Sequence, residues 1–283
     1  MWFNLLGGFL RSRSRRGRAP RRRRTTRTLT LEPLEDRWVP SALLVVNPTT
    51  ASSHPESLTN VNGVAFFTAN DGVHGRQLWE SDGTAAGTAL VKVINTNGSA
   101  NVDNLTNVNG TLFFTANDGT NGNQLWESDG TSSGTVMVTT IGSGSDDTAP
   151  YDLTNVGGTL FFAANDGTNG YQLWKSDGTA SGTVMVNNQA QDPYELTNVN
   201  GTLFFGAYTS TYGNELWSSD GTDAGTAMVK DIYTGRADSD PYNLTSVGCT
   251  LFFAADDGTN GIELWKSDGT AAGTALVLSL IHI

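Results

Sequence analysis

Residues 105–138 read LTNVNGTLFFTANDGTNGNQLWESDGTSSGTVMV, and this stretch decides the fold. It holds four short apolar runs, at 105–108, 111–116, 124–127 and 135–138, separated by Asn109-Gly110, Asp118-Gly119 and Asp129-Gly130. Runs rich in β-branched and aromatic residues, divided by Asn-Gly or Asp-Gly, read as strands joined by tight hairpin turns. The stretch is therefore predicted to be a four-stranded antiparallel meander. In Leu112-Phe113-Phe114 and Leu125-Trp126 successive residues point to opposite faces, so both faces of the sheet are apolar. Such a sheet must be covered on both sides.

The same sentence of sequence recurs. Trp79, Trp126, Trp174, Trp217 and Trp265 occupy matching places, spaced by 47, 48, 43 and 48 residues. A period of about 40 to 50 residues with four strands per copy suits a radial array of blades, in which neighbours cover both faces of every sheet. The expected fold is all-β, a β-propeller of four-stranded antiparallel blades with five repeats, at 55–94, 102–141, 150–187, 193–232 and 241–277. The five tryptophans, with Phe114, Phe162, Phe205 and Phe253, are read as repeat core because they recur mid-strand. A carbohydrate-stacking role for them is the weaker reading.

Gln77 to Thr84 reads Gln-Leu-Trp-Glu-Ser-Asp-Gly-Thr, and residues 124–131, 172–179, 215–222 and 263–270 repeat it with small changes. These copies resemble the ELWxxDGT repeat family over nearly all of residues 55–277. The resemblance implies a propeller-like scaffold of large bacterial surface or secreted proteins and no defined reaction. Asp82, Asp129, Asp177, Asp220 and Asp268 precede glycine in the last turn of each copy. An aspartate there hydrogen-bonds local backbone, so a structural turn role is expected.

The formal charge of −11 averages over two unlike segments. Residues 1–40 hold eleven arginines against three acids, a net +8, whereas residues 41–283 hold six basic residues against 25 acids, a net −19. The head reads as a disordered targeting or sorting segment. Within it Leu31-Glu32-Pro33-Leu34-Glu35-Asp36-Arg37 resembles the LEPLEDR-type amino-terminal motif of large repetitive proteins of planctomycete-like bacteria, which implies export to the cell envelope or outside. No apolar run approaches the roughly 20 residues of a membrane span. The acidic body argues against nucleic acid as partner of the folded part. The one cysteine, Cys249, excludes an internal disulfide.

Residues 42–47 mirror the fourth strand of a copy and read as an orphan strand, within a propeller region of 41–277. Propellers commonly close by completing a last blade with such a terminal strand, yet the fifth copy already owns its fourth strand. Residues 278–283 depart from the repeat and read as an artefactual tail. The expectation is that one or more blades are missing; a closed five-bladed ring is the alternative.

The loops between second and third strands and the connectors at 143–152, 189–195 and 233–242 are expected on one face. Asp71, Asp118, Asp166 and Asp257 fall there as weak calcium candidates, oxygen-rich but without EF-hand spacing. No other cofactor is implied. No Ser/His/Asp pairing, phosphate loop or HExxH is legible. The few residues that break the repeat, His74, Arg76, Tyr208, Tyr212 and Arg236, are the only catalytic candidates. The leading expectation is a non-enzymatic extracellular binding or adhesion module of a larger protein, with a protein or polysaccharide surface ligand. The alternatives are a calcium-stabilised module and a part of a carbohydrate-active enzyme whose catalytic residues lie elsewhere. If Trp126 is core, Trp126→Ala costs about 3 to 5 kcal/mol, read in a melting curve; an unchanged melting temperature places the ring in solvent.

Overall fold

The computed structural model describes residues 46, 51–142 and 149–278. The orphan strand at 42–47, except Val46, and the tail beyond 278 lie outside the described residues, as does the head. The described chain forms twenty strands in five four-stranded antiparallel sheets, each in sequence order, and the fold is a β-propeller. Blade 1 comprises β1 (Glu56–Val61), β2 (Val64–Asn70), β3 (Arg76–Ser81) and β4 (Thr88–Lys92). Blade 2 comprises β5 (Asp103–Val108), β6 (Thr111–Asn117), β7 (Asn123–Ser128) and β8 (Val136–Thr139). Blade 3 runs through β9 (Tyr151–Val156), β10 (Thr159–Asn165), β11 (Tyr171–Ser176) and β12 (Val184–Asn187). Blade 4 holds β13 (Gln191–Val199), β14 (Thr202–Thr209), β15 (Gly213–Ser219) and β16 (Ala227–Lys230). Blade 5 holds β17 (Tyr242–Val247), β18 (Thr250–Asp256), β19 (Ile262–Ser267) and β20 (Ala275–Leu278).

The hairpin between first and second strands shows why Asn-Gly recurs. Val108 pairs with Thr111 across two residues, and Asn109 and Gly110 take φ of 52° and 89°. Both central residues at positive φ suit the right-handed twist of the flanking strands, and Asn-Gly tolerates that conformation best. Gly157-Gly158 and Asn200-Gly201 repeat the geometry.

The first strands pack on one another in order, β1 on β5, β5 on β9, β9 on β13 and β13 on β17. Between neighbours lies one apolar layer with a fixed division of labour. The earlier blade contributes its first phenylalanine and the leucine before its tryptophan; the later blade contributes its second phenylalanine and the tryptophan. Thus Phe66 and Leu78 pack with Phe114 and Trp126, and Phe204 and Leu216 with Phe253 and Trp265. Phe114, Phe162, Phe205 and Phe253 are fully buried, and the tryptophans are buried except the partly buried Trp174. Each fully buried aromatic side chain contributes about 1.5 to 3 kcal/mol.

Polar ladders stitch the same interfaces. Thr59, Thr106, Thr154 and Thr197 donate their hydroxyls to Leu105 O, Leu153 O, Leu196 O and Leu244 O of the next blade, at 3.0–3.3 Å. In the reverse direction the side-chain amides of Asn107, Asn155 and Asn198 donate to Asn60 O, Asn107 O and Asn155 O. Lys92 and Lys230 donate to Thr135 O and Thr274 O while lying 6.0 and 5.6 Å from the centres of the Trp126 and Trp265 rings.

The Asp-Gly-Thr turn joins this layer. Asp129 Oδ1 accepts from the amide and the hydroxyl of Thr131, at 2.8 and 2.7 Å, and Gly134 N donates to Thr131 Oγ1. Gly130, at φ 92°, sits 3.4 Å (measured from a Cβ built on it) from the tip of the Phe66 ring. Gly178, Gly221 and Gly269 meet Phe113, Phe161 and Phe204 in the same way, whereas a Cβ at Gly83 in blade 1 would meet nothing within 4 Å.

Gly221 and Gly83 therefore separate two roles of one motif. Alanine at either suffers the left-handed backbone, about 1 to 2 kcal/mol. At Gly221, where the built Cβ lies 2.9 Å from Phe161, it also overpacks the blade interface, a further 1 to 3 kcal/mol or so. Urea denaturation is expected to rank Gly221→Ala clearly below Gly83→Ala; equal losses mean the ring contact is unimportant.

Candidate functional site

Every first strand carries a left-handed residue just before its Leu-Thr step: Ser57, Asn104, Asp152, Glu195 and Asn243, with φ between 53° and 58°; the longer β13 has a further one at Asp192. Pairing with the second strand slips there, as between Asp103↔Thr115 and Thr106↔Phe113, so each innermost strand is bulged at one level. Non-glycine residues in this region are strained by about 1 kcal/mol or more, and strained backbone clusters where side chains must be aimed. In blades 3 and 4 the aimed residue is acidic. Asp152 Oδ2 accepts from Glu195 N at 2.8 Å, and Glu195 Oε2 accepts from Leu244 N at 3.1 Å, so each carboxylate brackets the next blade.

A tyrosine precedes each acid. Tyr151 donates to Pro193 O at 3.0 Å and stands edge-on to Tyr171, with ring centres 5.2 Å apart. Tyr194 lies across Gly206, where any Cβ would strike its ring. Thr68, Thr115, Ala163 and Ala254 occupy that place in the other copies, so glycine here makes room for the tyrosine. The result is a cleft of about 620 Å³ lined by Tyr151, Asp152, Thr154, Tyr194, Glu195 and Thr197, with Asn104 at its edge. Burial, then the charges of Asp152 and Asp192, push the Tyr151 phenol above its ordinary value. Burial, then Asp240 and Asp238, do the same to Tyr194. Both rings are thus neutral hydrogen-bonding surfaces at working pH. The Thr154 and Thr197 hydroxyls are turned to backbone carbonyls, Asp152 O and Glu195 O of their own strands and Leu196 O and Leu244 O of the following blade. No lysine or arginine lines the cleft, which is equipped to hold N–H donors and apolar faces.

Between the third strand and the blade connector lies a second polar station. Gln77 is fully buried, accepts from Ile94 N, and donates to the carbonyls of His74, Asn95 and Gly98. Gln124 accepts from Ile141 N likewise. In blade 4 a glutamate takes this place: Glu215 accepts from Ile232 N, Tyr233 N and Ser239 Oγ at 2.8–3.1 Å. Burial pushes its carboxyl up to about 7, against the lowering effect of those three bonds.

The sequence-predicted calcium candidates stay apart. Asp118 Oδ1 accepts from Thr120 N and Asn121 N while Oδ2 accepts from Asn121 Nδ2, and Asp166 and Asp257 repeat the pattern. Asp71 binds Val73 N, His74 N and, at 2.6 Å, His74 Nδ1. Burial raises the Asp118 carboxyl, but its loop bonds outweigh that and hold it below the ordinary value. Among the described residues no three His, Cys, Asp or Glu side chains gather as a metal site. Asp82, Asp129, Asp177, Asp220 and Asp268 each bind the amide and hydroxyl of the threonine two residues on. Of the repeat-breaking candidates, Arg76 bonds Glu56 and Thr68, while Tyr208, Tyr212 and Arg236 are exposed; none lines the cleft. Sequence reasoning missed Tyr151-Asp152 and Tyr194-Glu195. The available signal was an aromatic-acid pair before Leu-Thr-Asn-Val in only two copies.

No family model matches the chain, and no curated protein matches it. Among solved structures it is similar to a puromycin hydrolase mutant complexed with PGG, at 15% identity and TM-score 0.50, covering 82% of this chain and 40% of that one. It is also similar to one of two prolyl endopeptidases analysed for inter-domain dynamics in catalysis and specificity, at 11% identity and TM-score 0.51, covering 80% and 36%. TolB from Acinetobacter baumannii matches at 13% identity and TM-score 0.44, covering 76% and 53%. The chain spans about two fifths of the length of the two hydrolytic chains. At these identities the likeness shows the fold. It also corrects the expectation of a pure binding or adhesion scaffold: the propellers of the puromycin hydrolase and the prolyl endopeptidase are parts of enzymes, so repeats without catalytic residues do not mark a non-enzymatic protein. That expectation counted reactive residues only within the repeats.

Glu215 yields a pH prediction with a definite sign. Its folded value near 7 exceeds the ordinary 4.5, so the folded state binds more protons between those values. Its contribution is then full below about pH 4.5 and is lost as pH rises through 7, roughly 2 kcal/mol after solvent screening. Melting temperature is expected to fall from pH 5 to pH 8, and Glu215→Gln to flatten that slope. The amide would face the Tyr233 N–H, so the variant also loses about 1 kcal/mol at pH 5. A slope unchanged by the substitution assigns the titration elsewhere.

Proposed function

We propose that this chain is the propeller part of a larger hydrolytic enzyme, presenting a substrate-contacting cleft at its inner strands while the catalytic residues lie in sequence beyond it. The observation that carries this reading is the cleft itself. Carboxylates and neutral phenols are aimed by strained backbone, and the threonine hydroxyls beside them are already donated to backbone. Such a surface binds and orients but offers no activated nucleophile. The neighbouring folds support an enzymatic context, and acceptor groups facing inward suit a peptide-like substrate rich in N–H donors. The ELWxxDGT and LEPLEDR resemblances support export as the setting of this activity.

The test compares the complete gene product with residues 41–278 on a panel of peptide and polysaccharide substrates. The complete product is expected to hydrolyse a peptide substrate and residues 41–278 to show no turnover. In the complete product Asp152→Asn should raise KM several-fold with kcat little changed, as expected when binding alone is lost. Turnover by residues 41–278 alone, or a complete product inert on every substrate, overturns the reading; activity on polysaccharide only replaces peptide with glycan.

A further inference from the structure

Blade 5 breaks the rule that every blade is covered on both faces. Its residues on the face turned toward blade 4 are buried as elsewhere. On the other face the exposures change at matched positions. Val199, Leu216 and Val229 of blade 4 are 4%, 0% and 8% exposed, whereas their counterparts Val247, Leu264 and Val277 are 57%, 45% and 43% exposed. Ile262 adds to the same face, paired through Asp256, and Phe252 lies on it half-buried.

We propose that this face is a docking surface for a sixth blade of the same repeat, carried on the same polypeptide after β20. Terminal repeats that end an array carry a polar outer face, and this one is apolar. The four internal interfaces show what the occupant must bring. Phe252 stands where Phe66, Phe113, Phe161 and Phe204 each meet the glycine of the next Asp-Gly-Thr turn. Thr245 keeps the bond to the carbonyl two residues back that Thr106, Thr154 and Thr197 also make, and among the described residues no following blade supplies the Leu carbonyl that its four counterparts reach. Lys266 stands where Lys175 donates to Gly221 O of the next blade. A second copy of this chain fits less well. The matching face of blade 1, Phe67, Ala69 and Trp79, already packs with Val46, and Ser53 O accepts from Asn70 N as Ala100 O accepts from Asn117 N. The segment before β1 thus takes the course of a connector from a preceding blade and occupies the place a second copy would need.

The experiment extends the chain after Leu278 with a duplicate of residues 231–278, a connector and blade in register. The extension is expected to raise the melting temperature by about 3 to 5 °C. Phe252→Ala should leave the unextended chain within about 1 °C and lower the extended one by several degrees. In a Cys249→Ser background, Val277→Cys should react with a thiol reagent at least tenfold more slowly in the extended chain. Equal reactivity in both chains, whether or not the added blade folds, overturns the proposal. So does self-association of the unextended chain, seen by sedimentation and abolished by Leu264→Lys, which makes a second copy the occupant.

Discussion

The seating of one phenylalanine ring on the glycine of the next blade's turn is the contact on which the rest depends. A meander apolar on both faces has no stable existence alone, so each blade is only as ordered as its two neighbours. The ring tip of Phe161 reaches Gly221, and no side chain fits between them. The glycine also stands at φ 86°, which other residues reach only with strain. One position thus meets two requirements, backbone conformation and clearance. The aspartate before it and the threonine after it hold that conformation by closing a small hydrogen-bonded ring. The Leu-Trp pair completes the contact by dividing its side chains between the two interfaces of the blade.

Because this layer is repeated so faithfully, function has to come from departures from it. The bulge in each first strand is common to all five copies, and the repeat therefore offers five aimed positions at one level. Only blades 3 and 4 fill them with carboxylates behind a tyrosine. Gly206 shows the cost of doing so: the second strand gives up a side chain that the other copies keep, and the Tyr194 ring takes the space. The replacement of Gln77 and Gln124 by Glu215 follows the same logic at the connector. A glutamine accepts one amide and donates to carbonyls; Glu215 meets three donors instead, because its connector turns amides and a hydroxyl inward.

Much of the fold was legible because strand period, turn dipeptides and the Trp spacing all point the same way. Phe113-Phe114 is the clearest case: adjacent aromatics must face opposite ways, and they enter the two different interfaces of blade 2. The site was less legible. Tyr151 and Tyr194 look like ordinary strand residues, and only the bulge, set by left-handed Asp152 and Glu195, turns their neighbourhood into a cleft. The loop aspartates misled in the opposite sense. Asp118 and Asp166 sit in oxygen-rich loops of the kind calcium favours, yet they are half-buried and their oxygens are committed to amides two and three residues away.

The functional correction has a physical origin of the same kind. A residue inventory asks whether a nucleophile and a base occur near each other in sequence, which is a fair question for a domain that does chemistry. A blade array does something else: it fixes backbone so firmly, through ring, glycine and ladder, that a few side chains can be held in strained positions at its axis. The stability of four near-identical interfaces is what permits the strain at Asp152 and Glu195 to persist. Lack of reactive groups in such an array therefore carries no information about whether the molecule as a whole is an enzyme. What does carry information is where the repeat yields, and here it yields at the inner strands of adjacent blades, where carboxylates and phenols share one cleft.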